Sequence, residues 1–209
     1  MERCWVVIPL KAGAACKTRL ADVLDAPARA ALAAALAAHV VAVAAEAAGL
    51  AHVRLLGLGR DALPRDLAVL EDPGGGLNAA LASARRAALR AGADRVLFLM
   101  ADLPFVTADD VRMLLDTAPG VVAIAPDSAG QGTNTLSLPL PQAMDFGLHY
   151  GPASFSKHRA EAARLGLPAV SVRTPGLGFD IDEPADLARW RTETGGGTAR
   201  RTDAVLSER

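Results

Sequence analysis

The sequence predicts a three-layer α/β fold, in which a mixed, mainly parallel sheet is covered by helices on both faces. Segments typical of strands alternate with segments typical of helices, and most strand segments are apolar throughout rather than at every second position. Such strands are buried on both faces, as in a Rossmann-like sheet. The interior carries no linker-like stretch, so we expect one domain over residues 1–191 and a disordered tail over 192–209.

Each predicted strand is a short run rich in β-branched and other apolar residues. In chain order, these runs are "RCWVVIPL", "HVRLLGLG", "DLAVLED", "DRVLFLMADLP", "GVVAIAPD", "TNTLSLPL" and "PAVSVRT". The stretch "FDID" is expected to end a further strand, which would place its two acids side by side on one face.

The first predicted helix runs from Pro27 to Ala48 and has its proline in the first turn, where helices tolerate it. It approaches the length of a membrane span, but His39 and Glu46 interrupt it, so we expect a buried helix of a soluble protein. Thr107, followed three residues later by Asp110, predicts a capping box at the start of a later helix. The other predicted helices are "LNAALASARRAALRAG", "GPASFSKHRAEAARLG" and "EPADLARW".

Charge and cysteine content argue against several classes of protein. The formal net charge of -1 gives no overall field to attract nucleic acid or an anionic membrane, so we expect small-molecule substrates as partners. Two cysteines, Cys4 and Cys16, are too few for a disulfide framework and lack metal-ligand spacing, which favours a cytoplasmic location. The apolar run at the N-terminus is short and closed by Pro9, unlike a signal peptide.

A basic loop follows the first predicted strand and carries Lys11, Lys17 and Arg19 among glycine and alanine. Small residues let backbone N–H groups approach an anion, and three cations could neutralise a triphosphate. The glycine spacing is neither that of a Walker motif nor GxGxxG. A solvated basic loop is the alternative.

A glycine run, Gly74 to Gly76, stands directly before a predicted helix. Gly75 and Gly76 allow positive φ or close approach to a flat ring, and Asn78 offers a donor and an acceptor to a base or ribose. A plain glycine turn would look the same.

Three acids stand at predicted strand ends. Asp102 ends an entirely apolar strand, where a divalent cation between phosphates would lie. Asp180 and Asp182 share one side of "FDID", and Asp182 also has the position of a helix N-cap before Pro184. We expect carboxylate oxygens of Asp102 and of Asp180 or Asp182 to lie close enough to share one cation.

Two further segments could bind a small anionic acid. Thr133 belongs to a polar loop between strands, "DSAGQGTN", which is rich in hydrogen-bond donors. Gly151 and Ser154 lie at a predicted helix N-terminus, where backbone N–H groups and the helix dipole favour anions, although Ser154 could be only an N-cap. His158 could join this site or be exposed on the helix.

Taken together and in this order, the segments resemble the guanylyltransferases of deazaflavin coenzyme F-420 biosynthesis. The resemblance runs to about Trp190, through "IPLK", "KTRL", "GGLNAAL", "DLP", "GTNTL", "YGPASFSKH" and "FDIDEPADL". It implies a fold like that of the nucleotide-diphospho-sugar transferases (GT-A-like), and transfer of GMP from GTP to a three-carbon phosphorylated acid. That acid would be 2-phospho-L-lactate, phosphoenolpyruvate or 3-phospho-D-glycerate, and pyrophosphate would be released.

The resemblance also implies a role for each candidate residue, with Mg²⁺ as the cofactor. The GTP phosphates would be contacted by Lys11, Lys17 and Arg19, and the rest of GTP by Gly75, Gly76 and Asn78. The phosphorylated acid would be bound by Thr133, Gly151 and Ser154. The metal ion would be bound by Asp102, Asp180 and Asp182. The alternatives are a molybdenum-cofactor-type or sugar-type nucleotidyltransferase, disfavoured by a first loop with one glycine, and a non-catalytic GTP-binding protein. The apolar first helix leaves room for a homodimer.

Overall fold

A seven-stranded mixed sheet forms the centre of the computed structural model, which describes residues 3–10, 17–57 and 63–194. The spatial order of the strands is β3-β2-β1-β4-β6-β5-β7. Their bounds are β1 Cys4–Leu10, β2 Val53–Gly57, β3 Ala68–Leu70, β4 Arg95–Leu99, β5 Val122–Pro126, β6 Thr133–Pro139 and β7 Ala169–Ser171.

Six α-helices accompany the sheet in the described residues: α1 Ala26–Ala48, α2 Leu77–Arg90, α3 Ala108–Leu115, α4 Ser154–Arg164, α5 Pro175–Gly178 and α6 Pro184–Glu193. Two short 3-10 helices lie at Thr18–Leu20 and Leu50–His52. Asp25 caps α1 by accepting a hydrogen bond from the backbone N–H of Ala28. The capping box of Thr107 and Asp110 is present at α3, as predicted. The mixed, mainly parallel α/β fold is therefore confirmed.

One strand, β6, runs against all the others. It pairs antiparallel with β4 and with β5, whereas β1 pairs parallel with β2 and β4. Because Leu99 at the end of β4 lies opposite Thr135 near the start of β6, the start of β6 joins the carboxyl ends of the parallel strands. Ligands of open α/β sheets bind at that edge.

The core lies on both faces of the sheet, as alternation along the strands requires. In β1, Val6 and Ile8 pack into one apolar cluster with α1 and α3, and Val7 packs into the other with α2 and α4. All three side chains are fully buried, and each contributes roughly 1.5–3 kcal/mol of transfer free energy. A smaller third cluster joins the first half of α1 to α6 and contains Ile181.

Helix α1 is long and apolar enough to cross a membrane by length and composition alone. In the fold, however, its Leu32, Leu36, Val40 and Val41 are buried in the core clusters. The prediction of a buried core helix is thus confirmed for these side chains.

Three sequence predictions need correction. "FDID" is not a strand: the segment directly follows the one-turn helix α5, and although Phe179 is extended, the segment pairs with no strand of the described chain. The predicted tail begins too early, because α6 continues to Glu193. Asp182 is not the N-cap of α6; Glu183 is, in a capping box with Asp186.

Candidate active site

The three predicted acids meet at the carboxyl edge of the sheet. Asp102 follows β4 in a turn, and its backbone carbonyl accepts a hydrogen bond of 3.2 Å from the N–H of Ile181. Ile181 is fully buried, which anchors the segment, and the residues on either side of it, Asp180 and Asp182, each bring a carboxylate oxygen within 4.8 Å of one from Asp102. The alternation predicted from "FDID" therefore holds although the strand does not.

These three residues form what we term the carboxylate cluster: Asp102, Asp180 and Asp182. One carboxylate oxygen from each lies within 4.8 Å of the others. The predicted closeness is confirmed. Burial, together with the charge of Asp102, raises the pKa of Asp180 to about 6, although a hydrogen bond from Asn134 opposes the shift. A set of partly buried carboxylates with mutual repulsion is a donor set that suits a hard divalent cation.

Lys17 lies inside this cluster. Its Nζ is 2.6 Å from Asp102 Oδ2 and 3.0 Å from Asp182 Oδ1, and its side chain is only 10% exposed. Burial alone would lower the pKa of Lys17, but the two carboxylates outweigh it and the pKa is raised. Lys17, which was predicted to face the GTP phosphates, thus contacts two of the acids directly, from a left-handed backbone conformation with φ of 48°.

The other predicted cations are placed differently. Arg19 is 69% exposed and approaches Asp182 Oδ2 at 3.6 Å, so it lies on the solvent side of the cluster. Lys11 lies outside the described residues.

Asn134 in β6 holds one member of the cluster in place. Its amide nitrogen donates to Asp180 Oδ1 at 3.2 Å and to the carbonyl of Leu177 at 3.0 Å, and the residue is buried. From the sequence, Asn134 was only one of several polar residues in a loop that could bind an acid. Its partner could not be predicted because 46 residues separate it from Asp180.

A cavity of about 320 Å³ opens beside the cluster, a size typical of small-ligand sites. Its wall is mainly apolar and includes Pro9, Leu10, Leu56, Leu77, Ala80 and Met100. Lys17, Arg19, Asp102 and Asp182 line it as well. One cavity therefore combines an apolar surface suited to a flat base with charged groups suited to phosphates and a cation.

The glycine run borders the same cavity. Gly75 and Gly76 both have positive φ, as predicted, and Gly76 caps α2 and lines the cavity. Asn78, which was predicted to bind base or ribose, exchanges two hydrogen bonds with the backbone of Tyr150, at 2.8 and 3.1 Å. In this arrangement its amide fixes the loop before α4.

The residues predicted to bind the acid converge where β6 begins and α4 starts. The N–H of Ser154 donates to the carbonyl of Gly151, and the next N–H, that of Phe155, donates to the carbonyl of Gln131. Ser154 is the first residue of α4 rather than its N-cap, which is Ala153. Thr133 Oγ1 lies 3.0 Å from His158 Nδ1.

His158 is fully buried, not exposed on the helix. Its Nε2 accepts a hydrogen bond of 2.9 Å from the N–H of His149. We term His149, His158 and Thr133 the His158 network. Burial and the neighbouring His149 lower the pKa of His158 to about 4.

Comparison with known proteins identifies the family. The family described as "Guanylyl transferase CofC like" matches residues 4–200. The chain belongs to this family.

Individual relatives agree with the assignment. The chain is 40% identical over 212 residues to the phosphoenolpyruvate guanylyltransferase of Rubrobacter xylanophilus, covering 94% of this chain and 97% of the relative. It is 37% identical over 203 residues to the 2-phospho-L-lactate guanylyltransferase of Natrialba magadii, covering 87% of this chain and 80% of the relative. The chain is thus a nucleotidyltransferase of the guanylyl-transferring type, and the family implies the F-420 pathway.

Solved structures agree on the fold. A Desulfovibrio desulfuricans G20 protein described as a putative nucleotide-diphospho-sugar transferase superimposes with a TM-score of 0.78 at 19% identity, covering 100% of this chain and 95% of that one. A Mycobacterium tuberculosis H37Rv protein solved in complex with manganese gives a TM-score of 0.54 at 19% identity, covering 90% of this chain and 97% of that one. The predicted likeness to nucleotide-diphospho-sugar transferases is confirmed, and family membership favours guanylyl transfer over both alternatives.

Proposed function

We propose that this guanylyltransferase transfers GMP from GTP to a three-carbon phosphorylated acid and releases pyrophosphate, as a step of coenzyme F-420 biosynthesis. The observation that carries the proposal is the carboxylate cluster with Lys17 inside it, of which Asp102, Asp182 and Lys17 line a mainly apolar cavity of about 320 Å³. The acid would be phosphoenolpyruvate, 2-phospho-L-lactate or 3-phospho-D-glycerate, the first two of which appear in the names of relatives.

The reaction needs no protein nucleophile. A phosphate oxygen of the acid attacks the α-phosphorus of GTP in line, a new P–O bond forms, and the bond to the bridging oxygen of the β-phosphate breaks. Pyrophosphate leaves with that electron pair. An ionised phosphate is already nucleophilic, so the protein contributes alignment and charge neutralisation.

The described residues divide these tasks by position. The apolar wall would hold the guanine, with the backbone of Gly75 and Gly76 close to the nucleotide. Lys17 and Arg19 would neutralise the phosphates, a role that the family resemblance also gives to Lys11, which lies outside the described residues. Thr133, Gly151 and Ser154 would bind the acid at the start of β6 and α4.

Asp102, Asp180 and Asp182 would hold a divalent cation, which we propose is Mg²⁺. When bound, such a cation would supply positive charge to the phosphates and to the leaving pyrophosphate. The donor set fits, because a carboxylate oxygen from each of the three acids lies within 4.8 Å of the others; Lys17 Nζ, which now contacts Asp102 and Asp182, would have to give way to the ion. The manganese complex of the structural neighbour is consistent with a divalent ion.

The deciding experiment incubates the protein with GTP, Mg²⁺ and the three acids in equimolar competition. Pyrophosphate release is measured with an enzyme-coupled assay, and the products are identified by mass spectrometry. We expect one dominant guanylylated acid, and omission of GTP or of Mg²⁺ should abolish it. GTP binding without pyrophosphate release from any acid would contradict the proposal and favour a non-catalytic GTP-binding protein.

A further inference from the structure

His158 occupies an unusual position for a histidine near a proposed substrate site. It lies one turn after Ser154 on α4, is fully buried, and packs against the rings of Phe146 and Tyr150 at centroid distances of 6.0 and 5.0 Å. Both ring nitrogens nevertheless have hydrogen-bond partners. A buried histidine with two fixed partners has a defined tautomer.

The partner of Nε2 determines which nitrogen carries the proton. The backbone N–H of His149 can only donate, so Nε2 must present its lone pair at 2.9 Å. A neutral imidazole then carries its proton on Nδ1, which faces Thr133 Oγ1 at 3.0 Å. His158 therefore donates this hydrogen bond and Thr133 accepts it.

The groups around the ring favour the neutral form. On α4, Glu161 is engaged by Arg164 at 2.7 Å and by the N–H of Gly147, which lowers the pKa of its carboxyl to about 2. From the preceding loop come the His149 side chain, 3.8 Å from Glu161, and Tyr150, whose phenol has a pKa raised by burial. Burial and His149 outweigh the attraction of Glu161, so His158 stays neutral near pH 7.

The tautomer fixes what the Thr133 hydroxyl can do. Because Thr133 Oγ1 accepts the proton of His158, its own hydrogen is directed away from that ring. We propose that His158 is a positioning residue that holds the Thr133 hydroxyl as a hydrogen-bond donor toward an ionised oxygen of the acceptor acid. The inference rests on the proposed function, since it takes Thr133 as an acid-binding residue.

The consequence is a preference for one class of substrate. An anionic oxygen only accepts hydrogen bonds, so it matches a hydroxyl held as a donor. A neutral amide or ester at the same place accepts more weakly. The His158 network would thus favour fully ionised phosphorylated acids over their esters without placing a charged residue against them.

Two substitutions separate the ring's two hydrogen bonds. In His158→Asn, the amide nitrogen can take the place of Nδ1 and still donate to Thr133. In His158→Gln, the longer amide can take the place of Nε2 and accept from His149, but the donor to Thr133 is lost. Thr133→Val removes the hydroxyl without changing the shape of the side chain, and Thr133→Ser retains it.

Steady-state kinetics with GTP and the preferred acid test the inference. We expect His158→Gln and Thr133→Val to raise the KM for the acid about tenfold or more, as for loss of a hydrogen bond to a charged group, with the KM for GTP unchanged. His158→Asn and Thr133→Ser should stay within about threefold of the wild type. The double variant His158→Gln, Thr133→Val should be no worse than Thr133→Val alone, because both changes remove the same contact.

The outcomes distinguish failure of this inference from failure of the proposed function. If His158→Gln has wild-type turnover and an unchanged KM for the acid, the inference alone is overturned. It is also overturned if His158→Asn and His158→Gln raise the acid KM equally, or if the effects of His158→Gln and Thr133→Val on that KM are fully additive. Nitrogen NMR of the wild-type imidazole needs no variant: a proton on Nε2, or a charged ring at pH 7, also overturns it. A wild type that releases no pyrophosphate with any acid overturns the proposed function and this inference together.

Discussion

The carboxylate cluster and the His158 network lie at the same edge of the sheet but are built from different interactions. In the cluster, charges lie within reach of solvent, since the side chains of Asp102 and Asp182 are 26% and 45% exposed. In the network, His158 is 0% and Thr133 5% exposed, and the hydrogen bonds join neutral groups. Exposure leaves the first region accessible to the proposed cation, and burial fixes proton positions in the second.

This contrast predicts different responses to mutation. Removing a charge from the cluster changes electrostatic stabilisation, which acts mainly on turnover. Removing a hydrogen bond from the network changes the orientation of one hydroxyl, which acts mainly on binding of the acid.

The largest effect is expected from Asp102→Asn. The change keeps the shape of the side chain but removes one negative charge from the set, so we expect kcat to fall by about 10²-fold or more. The midpoint of thermal unfolding should change little, because Lys17 keeps its contact with Asp182. Asp109→Asn, at a side chain 91% exposed on α3, is the matched control and should leave kcat unchanged. Near-normal turnover of Asp102→Asn would contradict the proposed metal role.

Lys17→Met tests whether an ammonium group occupies space that a divalent ion would take. We expect turnover to fall by about 10²-fold because the phosphates lose a cation. We also expect the rise in thermal midpoint on adding Mn²⁺ without nucleotide to be larger than in the wild type, because the ion no longer displaces Nζ from Asp102 and Asp182. Arg19→Gln, which removes a more exposed cation 3.6 Å from Asp182, should change the Mn²⁺ response less than Lys17→Met does. An equal or smaller response in Lys17→Met would mean that Lys17 and the ion do not compete.

The network predicts a pH dependence of stability. The pKa of His158 is about 4 in the folded protein against 6.5 ordinarily, so between these values the unfolded chain binds more protons and the free energy of unfolding falls as pH falls. By pH 5, the loss relative to neutral pH is about 2 kcal/mol, or about 30-fold in the unfolding equilibrium. Urea unfolding of the wild type and of His158→Asn between pH 7 and pH 5 measures this loss in the free energy of unfolding. The difference between the two proteins isolates His158, since His39 contributes equally to both. Parallel pH profiles would contradict the assignment.

Much of this edge could be predicted from sequence because its signals are local. The apolar run of β4 ending near Asp102 and the two-residue spacing of Asp180 and Asp182 both depend on neighbouring residues alone. The spacing correctly placed the two acids on one side even though the strand prediction was wrong, because any extended segment alternates. The N-cap of α6 was misplaced by one residue, since the pairing of Glu183 with Asp186 competes with Asp182.

The rest depends on contacts between distant segments, which one sequence does not encode visibly. His158 meets Thr133 across 25 residues, and Asn78 meets Tyr150 across 72. The reversed direction of β6 is what brings Thr133 and Asn134 to the ligand-binding edge. No local pattern in "TNTLSLPL" indicates that direction, so the partners of these polar residues were not predictable.

Asn134→Ala gives the smallest expected effect and links the two regions, because β6 carries Thr133 and Asn134 as neighbours. Asn134 donates to Asp180, so its loss should leave that carboxylate less well oriented and reduce turnover and Mn²⁺ affinity about tenfold, as for outer-shell partners of metal ligands. The KM for the acid should be the same as in the wild type. Asn78→Ala is the matched control: it removes an amide of the same kind that holds the loop at Tyr150, so it should raise the acid KM and spare Mn²⁺ affinity. If both variants changed the same parameter, the carboxylate cluster and the His158 network would have to be treated as one coupled unit.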